Sequence, residues 1–130
     1  MSDIVKQTGN RNVKYSVDLP FPVSVNQLYR VVRGRPVISN AYRSWILAAD
    51  ALAFTQHLGA VKPLRRFSAI IYLRAEDRKR RDLDNFSKCV LDWAQRVDLV
   101  TNDRGCDELL MRWSERFAPE GCRLTLTGDV

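Results

Sequence analysis

Asp82 and Asp84 flank a single leucine and stand directly behind four consecutive basic residues, Arg78, Lys79, Arg80 and Arg81. Hard divalent cations such as magnesium take oxygen ligands. Two carboxylates close in sequence can supply them if the backbone aims both to one side. An extended Asp-x-Asp does so, because residues i and i+2 share a side. A continuous helix would turn them about 200° apart. The spacing therefore predicts Asp82 before a helix and Asp84 at or near its N-cap. The basic run beside the acids has two readings. It is mutual neutralisation, or a phosphate-holding surface next to a metal that activates water.

Lys88 follows Asp84 by four residues, one helical turn on the same face. There it could stabilise charge building up at phosphorus or position a water. The plainer reading is an ion pair with Asp84, or with Asp92 one turn further on, worth a few tenths of a kcal/mol.

The elements that must position these groups are legible in outline. Residues 13–19 alternate apolar and polar, as a half-buried strand does. Pro20 and Pro22 end it. Residues 23–38 read as a loop carrying Arg30, Arg33 and Arg35 around Gly34. Ser39 is a plausible N-cap for an amphipathic helix through Tyr42, Trp45, Ile46, Ala49, Leu52 and Ala53 to about His57. Phe67 to Leu73 reads as a central strand. Leu83, Phe86, Val90, Trp93, Ala94 and Val97 lie on one face of a second helix. Asn102 to Gly105 is a turn. Strands at 109–114 and 122–127 follow, with an antiparallel hairpin expected between them. The order β-α-β-α-β-β predicts an α+β domain: a small four-stranded mixed sheet with two main helices on one face. Residues 1–12 are expected to form a loose lead-in and residues 13–130 a single domain.

The 130 residues suit one core without disulfides or structural zinc. Net charge is +6 and pI about 9.6, a balance that favours polyanion partners. The cysteines, Cys89, Cys106 and Cys122, form no C-x-x-C pair and read as buried thiols. The lone His57 is given no chemistry. No run approaches the ~18 apolar residues of a membrane span, and the polar start lacks an apolar signal core. A cytoplasmic protein with no membrane partner is expected.

The run Asp82-Leu-Asp-Asn-Phe-Ser-Lys88, with Asp77-Arg-Lys-Arg-Arg before it, resembles the signature of RusA-type Holliday junction resolvases. Leu19-Pro-Phe-Pro-Val-Ser-Val-Asn26, followed by Tyr29-Arg30 and Arg33-Gly-Arg35, is similar to that family's opening motif. Asn102-Asp103 stands where the family carries its last metal carboxylate, although relatives often show two adjacent acids there. The resemblance spans roughly residues 15–127. It implies a RusA-like fold in a bacterial or phage-infected cell. It also implies a homodimer that binds four-way DNA junctions and nicks two opposed strands, in recombination and repair. Each subunit would use one or two magnesium ions, with manganese as a substitute and no nucleotide cofactor. Asp82, Asp84 and Asp103 match the metal carboxylates and Lys88 the catalytic lysine. Arg30, Arg33, Arg35, Arg78, Lys79, Arg80 and Arg81 match basic positions near DNA. Asn26 and Asn85 take supporting roles. Asp107 is an outside alternative for the third acid, read as a surface carboxylate.

Two other classes compete. A non-catalytic basic DNA-binding or regulatory protein would use the same loops without magnesium. An RNA-binding sheet would need exposed strand aromatics. Its candidates, Tyr15, Tyr72 and Trp113, each fit a core position instead.

Overall fold

A computed structural model describes residues 12–59, 61–75 and 82–130. The strands are β1 (Val13–Pro20), β2 (Tyr29–Val32), β3 (Arg35–Ile38), β4 (Arg66–Leu73), β5 (Cys106–Trp113) and β6 (Gly121–Asp129). The helices are α1 (Asn40–Thr55) and α2 (Ser87–Arg96). The expected α+β class with a mixed four-stranded sheet is found. Its order is β1-β6-β4-β5.

The expected hairpin between the last two strands does not exist. β6 pairs antiparallel with β1 and β4, while β5 pairs parallel with β4. β4 thus separates β5 from β6. A parallel neighbour needs a crossover connection, and α2 lies within the one that joins β4 to β5.

Register explains the core. Val17, Leu124 and Ile71 stand side by side across three strands, as do Leu19, Cys122 and Leu73. All six are buried, and they form one cluster with Tyr42, Trp45 and Ala49 of α1 and Val90, Trp93 and Ala94 of α2. Both helices therefore cover the same sheet face, as expected. The other face carries Asp18, Arg123, Tyr72 and Arg112. There Arg123 Nε donates to Asp18 Oδ1 at 2.7 Å.

α1 begins as its sequence predicts. The Tyr42 N–H donates to the Ser39 hydroxyl at 3.0 Å. The helix ends at Thr55, and His57 follows in a left-handed conformation, φ 51°. Asp50 of α1 accepts from Trp93 Nε1 of α2 at 2.9 Å, and the Arg96 guanidinium also reaches its carboxylate. The two helices are thus joined by polar contacts.

The stretch read as a loop over 23–38 is more ordered than that. β2 and β3 pair as a separate antiparallel ribbon. Arg33 and Gly34, with φ of 53° and 77°, make the two-residue turn. Positive φ at both central residues suits the right-handed twist of a hairpin. The strands are four residues each, too short to show a period-2 signal of their own.

Candidate functional site

Asp82 has extended backbone, φ −61° and ψ 115°. Asp84 lies in a 3-10 turn, Leu83–Phe86, that leads into α2. The expected departure from a continuous helix is therefore present, with a 3-10 turn where an N-cap was predicted. The Asn85 N–H donates to the Asp82 carbonyl at 3.1 Å and closes the turn. Phe86 anchors it, being buried with its ring edge-on to Phe21 at 5.0 Å between centroids.

Phe21 belongs to the opening motif, which is tied down on both sides. Trp45 Nε1 of α1 donates to the Pro20 carbonyl at 3.0 Å. The Val23 N–H donates to Cys89 Sγ of α2 at 3.4 Å. Ser24 caps a 3-10 turn, Val25–Gln27, that packs against both α2 and the Leu83–Phe86 turn. A cleft of about 500 Å³ opens between them, lined by Phe21, Ser24, Asn26, Gln27 and Phe86 among others. Two motifs more than fifty residues apart in sequence, that of Asn26 and that of Asp84, thus share one surface.

Lys88 sits in the first turn of α2. Its ammonium lies 3.1 Å from Asp92, the second of the two acids open to it by spacing. The hydrogen bond that Lys88 donates to Asp92 and the charge of Asp92 raise the Lys88 pKa above 10.5, and the charge of Asp103 adds to the effect.

Asp103 opens a 3-10 turn, Asp103–Gly105, just before β5. Besides its own backbone bonds, several contacts hold this turn. The Asp103 N–H donates to Oε1 of Gln95 at 3.1 Å. The Arg104 N–H donates to the Asn102 side chain at 2.9 Å. Gly105 abuts the Arg65 carbonyl so closely that a Cβ would stand 2.0 Å from that oxygen.

Among the described residues, no three His, Cys, Asp or Glu side chains gather closely enough to hold a metal. Asp84 and Asp103 are attached to different parts of α2. Asp84 precedes its N-terminus, and Asp103 is bonded to Gln95 near its C-terminus. From Ser87 to Gln95 the helix rises roughly 12 Å at about 1.5 Å per residue. The donor set is the hard-oxygen kind that magnesium takes. Within one chain the geometry does not bring it to a point.

Arg30 and Arg35 lie on the exposed β2–β3 ribbon, with Arg33 at its tip. Arg78, Lys79, Arg80 and Arg81 lie outside the described residues. Asp107, the alternative acid, is engaged by the Arg66 guanidinium in an exposed ion pair. Two aromatics weighed for nucleic-acid stacking are occupied. The Tyr15 hydroxyl donates to the Lys62 carbonyl at 2.9 Å, and Trp113 stacks on Phe21 at 6.2 Å. Tyr72 is not in the core as expected. It lies on the open sheet face beside Phe117, at 5.3 Å. The bond from Asp103 to Gln95 depends on a chain reversal that no local pattern signals.

The chain is 38% identical over 81 residues to crossover junction endodeoxyribonuclease RusA of Shigella sonnei (strain Ss046). It is 37% identical over 81 residues to the RusA of Escherichia coli (strain K12). The chain is related in sequence to the RusA endodeoxyribonucleases. The matched stretch takes in 60% of this chain and 64% of each of those RusA proteins, less than two thirds of their length. No protein-family model matches the chain. Among the described residues, no helix is long and apolar enough to cross a membrane.

Proposed function

We propose that this chain is a structure-selective DNA endonuclease that resolves four-way junctions by paired nicking. The observation that carries the reading is the gathering of three motifs around α2. The turn of Asn26, the turn of Asp84 and the turn of Asp103 all pack against that helix, which itself bears Lys88. The relationship to the RusA proteins supports the reaction class.

Each residue then has a task. Arg30, Arg33 and Arg35 hold the DNA backbone from the ribbon, and Arg78, Lys79, Arg80 and Arg81 do so from the segment before Asp82. Lys88, kept protonated by Asp92, faces negative charge at the scissile phosphate. Asn85 orients a neighbouring carboxylate, and Asn26 has a supporting role at the cleft. Asp82, Asp84 and Asp103 are the oxygen donors for magnesium, or for manganese in its place. When bound, that ion polarises a phosphate and lowers the pKa of a water. The number of ions is one or two per subunit. Convergence of the trio on one ion requires its members to be drawn together, within the chain or between chains. A homodimer would match the twofold symmetry of a junction. No nucleotide cofactor enters the reaction. Residues 13–130 act as one domain in a bacterial or phage-infected cytoplasm.

The test is incubation with a synthetic four-way junction and with linear duplex, each with and without magnesium. Symmetric nicks in the junction alone, only with the ion, are expected. Tight binding without cleavage at any ion concentration would instead favour a non-catalytic junction-binding protein.

A further inference from the structure

We infer that Gln95 is a positioning residue for Asp103 and sets its spacing from Lys88. The inference rests on the nuclease reading above and adds to it a residue that makes no contact with substrate.

Asp103 stands in a short turn between α2 and β5, where the chain reverses. The first N–H groups of such a turn have no partner within it. For Asp103 that partner is Oε1 of Gln95, at 3.1 Å. Gln95 lies near the end of α2, two turns beyond Lys88. One rigid helix therefore carries both the lysine and the bond that locates the acid. The Lys88 ammonium leans towards that end of the helix through Asp92 and senses the Asp103 charge. Gln95 also lines a cleft of about 320 Å³ with Tyr29, Ile38, Asp92 and Arg96. The turn's remaining ties, Asn102 to the Arg104 N–H and Gly105 against Arg65, hold its shape and its link to β4. Among the described residues, the Gln95 bond is the side-chain hydrogen bond that joins Asp103 to the helix of Lys88.

An amide suits this place. Its oxygen accepts from the backbone without adding a third negative charge beside Asp103 and Asp92. The Gln95 side chain is exposed, so changing it leaves the core intact.

The experiment compares wild type with Gln95→Met, which keeps the shape and loses the acceptor, and Gln95→Glu, which keeps the acceptor. Amide exchange at Asp103 is read by NMR. Junction cleavage is read in single turnover, beside junction affinity. For Gln95→Met we expect exchange at Asp103 several-fold faster and cleavage about ten-fold slower, with affinity unchanged. Gln95→Glu should restore the protection of the Asp103 amide and only part of the rate, because it adds a negative charge beside Asp103 and Asp92. Unchanged exchange, or faster exchange with an unaltered cleavage rate, overturns the inference. Asp103→Asn runs alongside. If that variant cleaves as wild type does, the site reading itself has failed. If it is inactive while Gln95→Met is normal, only the role of Gln95 has.

Discussion

The Lys88 ammonium lies 3.1 Å from the Asp92 carboxylate, one turn further along α2 and away from Asp84. This leaves the Asp82-x-Asp84 pair without its nearest basic neighbour on the helix. It also keeps Lys88 charged, since hydrogen bonding and charge from Asp92 raise its pKa. The side chains are 48% and 23% exposed, so the pair is worth about 0.2–1 kcal/mol. Asp92→Asn should lower stability by that amount in urea unfolding at neutral pH. The sign follows from the raised lysine pKa. The stabilisation is complete below the unfolded value of about 10.4 and is lost as pH rises through the folded one. The gap between wild type and Asp92→Asn should therefore close above about pH 10.4. A gap that widens there would contradict the pair.

Asp82→Asn should abolish junction cleavage and leave binding intact or tighter, because one negative charge near phosphate is removed. Gel-shift and nicking assays on the same junction check both halves. Wild-type cleavage by this variant would overturn the assignment of the acids.

Arg30→Ala, Arg33→Ala and Arg35→Ala should each weaken junction binding without regard to sequence. Each should also lower the slope of log affinity against log salt by about 1, the signature of a lost phosphate contact. Affinities measured across a salt series decide it. An unchanged slope would mean that the ribbon points away from the DNA.

Gly105→Ala should be costly although the position is not buried. The added Cβ would stand 2.0 Å from the Arg65 carbonyl, so the turn or the start of β4 must move. Strain of this kind costs about 1–3 kcal/mol. Cleavage should fall with stability, because Asp103 lies in the same turn. Thermal unfolding and a cleavage assay test the link.

The thiols should be quiet in the folded protein. Burial pushes Cys89 from about 9 up to about 12, against the opposing Val23 N–H bond, and raises Cys122 as well. Cys106 is half-buried and raised by burial too. Ellman titration should find slow reaction at Cys106 alone, and all three thiols on unfolding. A thiol pKa raised by folding stabilises fully below the unfolded value and is lost towards the folded one. Stability should thus decline between about pH 9 and about pH 12. Fast labelling of Cys89 in native protein would show that the core is not closed there.

Much of this molecule is written in local pattern. The Ser39 cap, the apolar faces of α1 and α2, the alternation in β1 and β6 and the apolar run of β4 depend on neighbours a few residues away, so the chain declares them. The break of helix at Asp82 and Asp84 was legible for the same reason. Partners that meet only after folding were not. The placing of β4 between β5 and β6, the β2–β3 ribbon with its four-residue strands, and the bond from Gln95 to Asp103 all depend on how distant segments return. Side-chain type decides which groups can bind a cation or a phosphate. Where Asp103 stands relative to the other acids is decided by packing, because its turn is placed by contacts with Gln95 and Arg65 that no local pattern specifies.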